Sequence, residues 1–133
     1  MLWGDGDTIA DPEGTTFDPS KQVNGTVKEQ LENPDSLLNY YGKLISFRNR
    51  YPQIARGNYS SYYLKNTSIG GFLIKYEGET TYLLHNTLDT EKSIDLSGYD
   101  PKPSEIIDFI GQGECTYENG ILTIGAQSSV LLK

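Results

Sequence analysis

The sequence is poor in the residues that build the commonest catalytic and metal sites. It has one cysteine, Cys115, and one histidine, His85. A lone cysteine forms no intrachain disulfide and no cysteine-based zinc cluster. A lone histidine leaves one centre for imidazole chemistry, and no Gly-x-Ser-x-Gly context supplies it with a nucleophile. No apolar run approaches the roughly 18 residues of a membrane span. The first 30 residues hold Asp5, Asp7, Asp11, Glu13 and Asp18 and no apolar stretch of the signal-peptide kind, so localisation stays open. Basic residues are also scarce, 11 against 18 acids for a net charge of −7. That balance argues against nucleic acid and against anionic membranes as partners.

What is present divides by charge. Residues 1–35 carry eight acids and two lysines, and residues 36–57 carry Lys43, Arg48, Arg50 and Arg56 with no acid. Residues 58–133 return to an acidic excess, ten against five lysines. The first 33 residues show no sustained periodicity and are punctuated by Gly4, Gly6, Pro12, Gly14, Pro19 and Gly25. They read as a long loop with a short helical turn near residues 26–31, an unusual stretch for a compact domain. A helix follows. Asn33 suits its N-cap and Pro34 its first turn. Leu37, Tyr40, Tyr41, Leu44, Ile45 and Arg48 recur at helical spacing, and Pro52 ends the run. Leu38 and Phe47 widen the apolar surface, which predicts cover on more than one side.

After Gly57 the pattern becomes short strands. They are predicted at residues 58–65, 71–76, 80–86, 92–96, 105–110, 114–117, 121–124 and 128–132. Asn119-Gly120 signals a tight hairpin, and Gly70-Gly71 reads as a bulge or tight turn. Eight short strands at about ten-residue spacing predict an antiparallel two-sheet sandwich with a Greek-key connection, a mainly β fold.

Few residues carry chemistry. The 18 acids make chance carboxylate pairs easy to draw, yet none has a context that marks it as buried or tuned. No catalytic residue is expected. The acids at Asp5, Asp7, Asp11 and Glu13 suggest a calcium loop, but Ile9, Ala10 and Thr16 stand where an EF-hand needs a ligand, a glycine and a bidentate glutamate. No metal or other cofactor is expected from these residues. His85 reads as structural. Cys115, beside the acidic Glu114, reads as packed rather than reactive. Aromatic residues remain as candidate ligand contacts, because their faces stack on sugar rings while polar tips stay wet. Trp3, Tyr59, Tyr62 and Tyr76 are the candidates for carbohydrate, and the alternative is that the tyrosines fill the sandwich core.

The helix carries a longer pattern. Ser36, Leu37, Leu38, Tyr41, Leu44, Ile45, Arg48 and Pro52, followed by Gly57 and Tyr59, fit S-L-L-x-x-Y-x-x-L-I-x-x-R-x-x-x-P and a nearby G-x-Y. This resembles the alpha-amylase family of glycoside hydrolases. Met1, Leu2 and Trp3 are similar to that family's M-x-W after the eighth barrel strand, and Val23-Asn24 to an element ahead of the last barrel helix. The run from Leu83 to Asn86 resembles a strand ending in asparagine in the family's C-terminal sheet domain. The run from Gly125 to Leu132 resembles its closing strand. An arginine expected shortly before M-x-W has no counterpart.

The resemblance covers essentially the whole chain. It implies that residues 1–57 are the last loop and helix of a (β/α)8 barrel and that residues 58–133 are the C-terminal β-sandwich. The family's nucleophilic Asp, acid/base Glu and stabilising Asp lie on earlier barrel strands, and no position here matches their motifs. The resemblance therefore implies a non-catalytic C-terminal region of a retaining enzyme acting on starch or maltooligosaccharides. Calcium belongs, if anywhere, to the parent enzyme. The expected partners are the catalytic barrel, an alpha-glucan, or a second copy of the chain on the helix's apolar face. A stand-alone carbohydrate-binding module and a protein-interaction sandwich are the alternatives.

Overall fold

The fold is described from a computed structural model over residues 2–7, 13–15, 23–65 and 68–133. The chain divides into two compact units, Met1–Ser46 and Phe47–Lys133.

The first unit is built on helix α1 (Val27–Glu32) and the first ten residues of helix α2 (Leu37–Arg50). Thr26 caps α1 with a capping box. Its hydroxyl accepts the Glu29 N–H at 3.2 Å, and its own N–H donates to the Glu29 carboxylate at 2.7 Å. The cap of α2 differs from the sequence reading. Asn33 closes α1 instead, its N–H donating to the Glu29 carbonyl and its side chain accepting the Asp35 N–H. Ser36 takes the capping role, its hydroxyl accepting the Asn39 N–H at 3.2 Å while its carbonyl accepts the Tyr40 N–H. Asn39 ties the two helices together, its amide donating to the carbonyls of Gln30 at 2.9 Å and Asn33 at 2.7 Å. Leu37, Tyr41 and Ile45 recur every four residues, which aligns them along α2, and all three are exposed.

The second unit begins inside α2. Pro52 ends that helix as expected, but it also opens a further one, α3 (Pro52–Arg56), because a first-turn proline needs no N–H donor. Eight strands follow: β1 (Asn58–Ser61), β2 (Ile69–Tyr76), β3 (Glu79–Asn86), β4 (Lys92–Asp95), β5 (Ile106–Ile110), β6 (Cys115–Glu118), β7 (Ile121–Ile124) and β8 (Ser128–Leu132). They form two antiparallel sheets, ordered β1-β2-β3-β8-β5 and β4-β7-β6. The chain crosses between sheets repeatedly, so β8 lies between β3 and β5. This is the non-sequential order of a Greek-key sandwich. Asn119 and Gly120 both have positive φ, as the two-residue hairpin turn requires.

The larger sheet is covered on both faces. On one side Leu73, Tyr82, Leu84, Val130 and Leu132 meet Cys115, Leu122 and Ile124 of the smaller sheet. On the other, Ile74, Leu83 and Leu131 pack with Phe47, with Tyr51 and Ile54 alongside. Adjacent residues on β3 and β8 point to opposite faces, and both faces are buried. That is why Leu83-Leu84 and residues 130–132 run apolar without alternation. The end of α2 is fastened to β5 as well. Asp108 accepts from Arg50 Nη1 at 2.7 Å and from the Tyr51 hydroxyl at 2.8 Å.

Gly70-Gly71 forms neither a bulge nor a turn. It sits in β2, whose pairing with β3 is unbroken from Ile69↔Asn86 to Tyr76↔Glu79. Gly71 is needed for space, because a Cβ there would collide with the Leu83 carbonyl. The register shift of this sheet falls instead on β5, between Ile106 and Asp108.

Candidate functional site

Trp3 is the most accessible of the aromatic candidates tied down by the structure, with 68% of its surface exposed. Its backbone is fixed from both sides. The Asp7 carboxylate accepts the Trp3 and Gly4 N–H groups, both at 2.8 Å. The first N–H groups of α1 point at the preceding loop, since a helix leaves them unpaired. Val27 donates to the Leu2 carbonyl at 2.9 Å and Lys28 to the Trp3 carbonyl at 3.1 Å. Lys28 Nζ also pairs with Asp5 at 3.3 Å, an exposed contact of little energetic weight. The loop is thus held by its own polar groups while the indole remains in solvent.

The tyrosines of the second unit have different fates. Tyr59 is 45% exposed, its hydroxyl donating to the Ile54 carbonyl and its ring meeting Phe72 edge to face. Tyr76 is half-buried at the end of β2. Tyr62 is a core residue, 9% exposed, packed edge to face on Tyr82 with its hydroxyl donating to the Pro101 carbonyl at 3.0 Å. Burial pushes its hydroxyl up to about 12 and leaves no open ring face for a sugar. Its neighbour Tyr63 points the other way, because successive residues of an extended chain alternate sides. The structure does not gather Trp3, Tyr59, Tyr62 and Tyr76 into one surface within either unit. Trp3 belongs to the first unit and the tyrosines to the second.

His85 is half-buried on the outer face of the larger sheet. Its Nδ1 lies 2.7 Å from the Ser129 hydroxyl, and its ring meets Phe72 edge to face. Burial lowers its pKa. The folded state therefore binds fewer protons than the unfolded chain just below pH 6.5, and the stability tied to neutral His85 is lost as pH falls through that range. Urea midpoints are expected to drop between pH 7.5 and 5.5 by an amount worth at most about 1 kcal/mol from this residue. A His85→Gln variant should lack that component, and an unchanged difference between the two pH values would refute the assignment.

Cys115 is buried in β6, and burial raises its pKa, so the inert reading holds for this reason rather than for the proximity of Glu114. Among the described residues no three His, Cys, Asp or Glu side chains cluster as metal ligands. Asp11, with Ile9, Ala10, Pro12 and Thr16 of the calcium comparison, lies outside the described residues. No described helix is long and apolar enough to cross a membrane.

The two-sheet antiparallel sandwich of the second unit and the tied-down Trp3 loop of the first are the features to set beside known proteins. No family model matches the chain. Over its whole length it is 29% identical to alpha-amylase SusG of Bacteroides thetaiotaomicron and covers 20% of that protein. Over 44% of its length it is 38% identical to probable oligo-1,6-glucosidase 2 of Bacillus subtilis, covering 11% of it. Among solved structures, Eubacterium rectale Amy13B superposes on the entire chain with a TM-score of 0.80 and 28% identity, and the chain spans 26% of it. The F164L mutant of MutB, from crystals soaked with trehalulose, shares the fold at a TM-score of 0.67 and 19% identity over 99% of the chain. SusG, the oligo-1,6-glucosidase and Amy13B cover the chain as the C-terminal part of alpha-amylase family enzymes, and MutB shares its fold. The chain spans about a fifth of SusG and about a quarter of Amy13B.

Proposed function

We propose that this chain is the non-catalytic C-terminal region of a retaining hydrolase of α-glucosidic bonds in starch or maltooligosaccharides. The observation that carries the reading is the full-length match to alpha-amylase SusG, of which the chain covers only 20%. Residues 1–57 would be the last loop and helix of the catalytic barrel, and residues 58–133 the domain that supports it. The barrel is then the natural partner for the exposed Leu37, Tyr41 and Ile45, with a second copy of the chain as the competing occupant. Trp3 would contact substrate from the barrel side. Tyr59 is the remaining accessible aromatic candidate, and the half-buried Tyr76 offers less surface.

The chemistry of a retaining glycosidase needs two carboxyl groups about 5 Å apart, one as nucleophile and one as acid/base. No residue here matches the family's motifs for either. Purified chain incubated with soluble starch is expected to release no reducing sugar above a buffer blank. Hydrolysis that copurifies with the chain would overturn the reading. The exposed indole on its pinned loop also favours a second reading, that of a carbohydrate-binding module acting alone.

A further inference from the structure

We infer that Asp7 is a positioning residue for Trp3, holding the indole ready for a sugar ring. The inference rests on the sugar-contacting role proposed above for Trp3. An exposed side chain on a loose loop stacks weakly, because ordering the loop on binding consumes part of the interaction. Here that ordering is already made. Asp7 reaches back four residues, and one carboxylate oxygen takes two backbone N–H groups, at Trp3 and Gly4. Hydrogen bonds to an ionised acceptor are stronger than neutral ones. On the other side the Trp3 carbonyl is held by the Lys28 N–H of α1, whose own start is fixed by the Thr26–Glu29 capping box. Trp3 therefore has its N–H and its carbonyl both engaged, while 68% of its surface is exposed. Loss of the Asp7 carboxylate frees the N–H side of this clamp, and α1 retains the carbonyl side.

Trp3 is the only tryptophan, so its fluorescence reports this loop alone. The test uses the 133-residue chain and its Asp7→Ala, Asp7→Asn and Trp3→Ala variants, with maltoheptaose as probe. Anisotropy and acrylamide quenching are read without sugar, and maltoheptaose binding is read by calorimetry. Asp7→Ala is expected to lower Trp3 anisotropy, raise quenching, and weaken maltoheptaose about five- to tenfold. Asp7→Asn keeps an oxygen that accepts both N–H groups and should stay within about twofold of the parent. Trp3→Ala should abolish binding. Unchanged anisotropy or unchanged binding in Asp7→Ala, with binding lost in Trp3→Ala, would overturn the role of Asp7 and leave the Trp3 contact standing. Unaltered binding in Trp3→Ala, or no binding by the unsubstituted 133-residue chain, would overturn the sugar contact and this inference together.

Discussion

Replacing Asn86 with alanine is expected to lower the free energy of unfolding by about 4 kcal/mol, read as a large fall in the urea midpoint at an unchanged slope. Asn86 closes β3 and is 1% exposed. Its amide donates to three carbonyls, those of Thr90 at 2.8 Å, Gly125 at 2.9 Å and Ile124 at 3.2 Å. Its oxygen accepts the Leu88 N–H at 3.1 Å. One side chain thus satisfies the turn after β3 and the end of β7 together. Alanine removes all four of these hydrogen bonds at a site that is itself buried. Asn86→Asp keeps the shape but turns a donor into an acceptor facing three carbonyls, so it should fare no better. A loss below about 1 kcal/mol for both variants would show that water replaces the amide at little cost.

The second large effect belongs to the same corner. Gly125→Ala is expected to cost about 3 kcal/mol or to prevent folding, measured by the same denaturation. A Cβ at Gly125 would overlap the backbone of Gly113, and a Cβ at Gly113 would lie 2.7 Å from the Gly125 Cα. The obstacle in each case is backbone, which has no rotamer to yield. Because the Gly125 carbonyl also accepts from Asn86, the double variant should cost less than the two single variants added. Additive losses would mean that the two contacts are energetically separate.

These two residues illustrate what a sequence reveals. Asn86 and Gly125 both stand in stretches whose pattern resembles the alpha-amylase family, and the structure supplies their physical reasons, a shared amide and a backbone crossing. Strands were legible because turn residues bracket short β-branched or aromatic runs, as Asn119-Gly120 does between β6 and β7. The cap of α2 was less so, since Asn33 and Ser36 are both good capping residues and only the packing of α1 decides between them. The fate of the tyrosines was hidden for a related reason. Tyr62 and Tyr63 are adjacent and chemically identical, yet one is 9% exposed and the other 76%. Which of them faces the core depends on Tyr82 and on the loop holding Pro101, both distant in sequence. The Asp7 clamp leaves no mark in the sequence, because hydrogen bonds three and four residues back give no periodic signal and acids in a loop read as solvated.

The place of β8 has a bearing on how the protein is made. Synthesis releases every other strand of the larger sheet before residues 128–132 emerge, whatever follows Lys133. Until then β5 has no partner in that sheet, and β3 presents an open edge rich in leucine. The nascent chain must hold two sticky borders apart until a single short segment arrives to join them. Such unpaired edges invite neighbouring chains. Yield in the cell should therefore depend on how quickly those five residues find their slot, a demand that chaperones rather than equilibrium stability would meet.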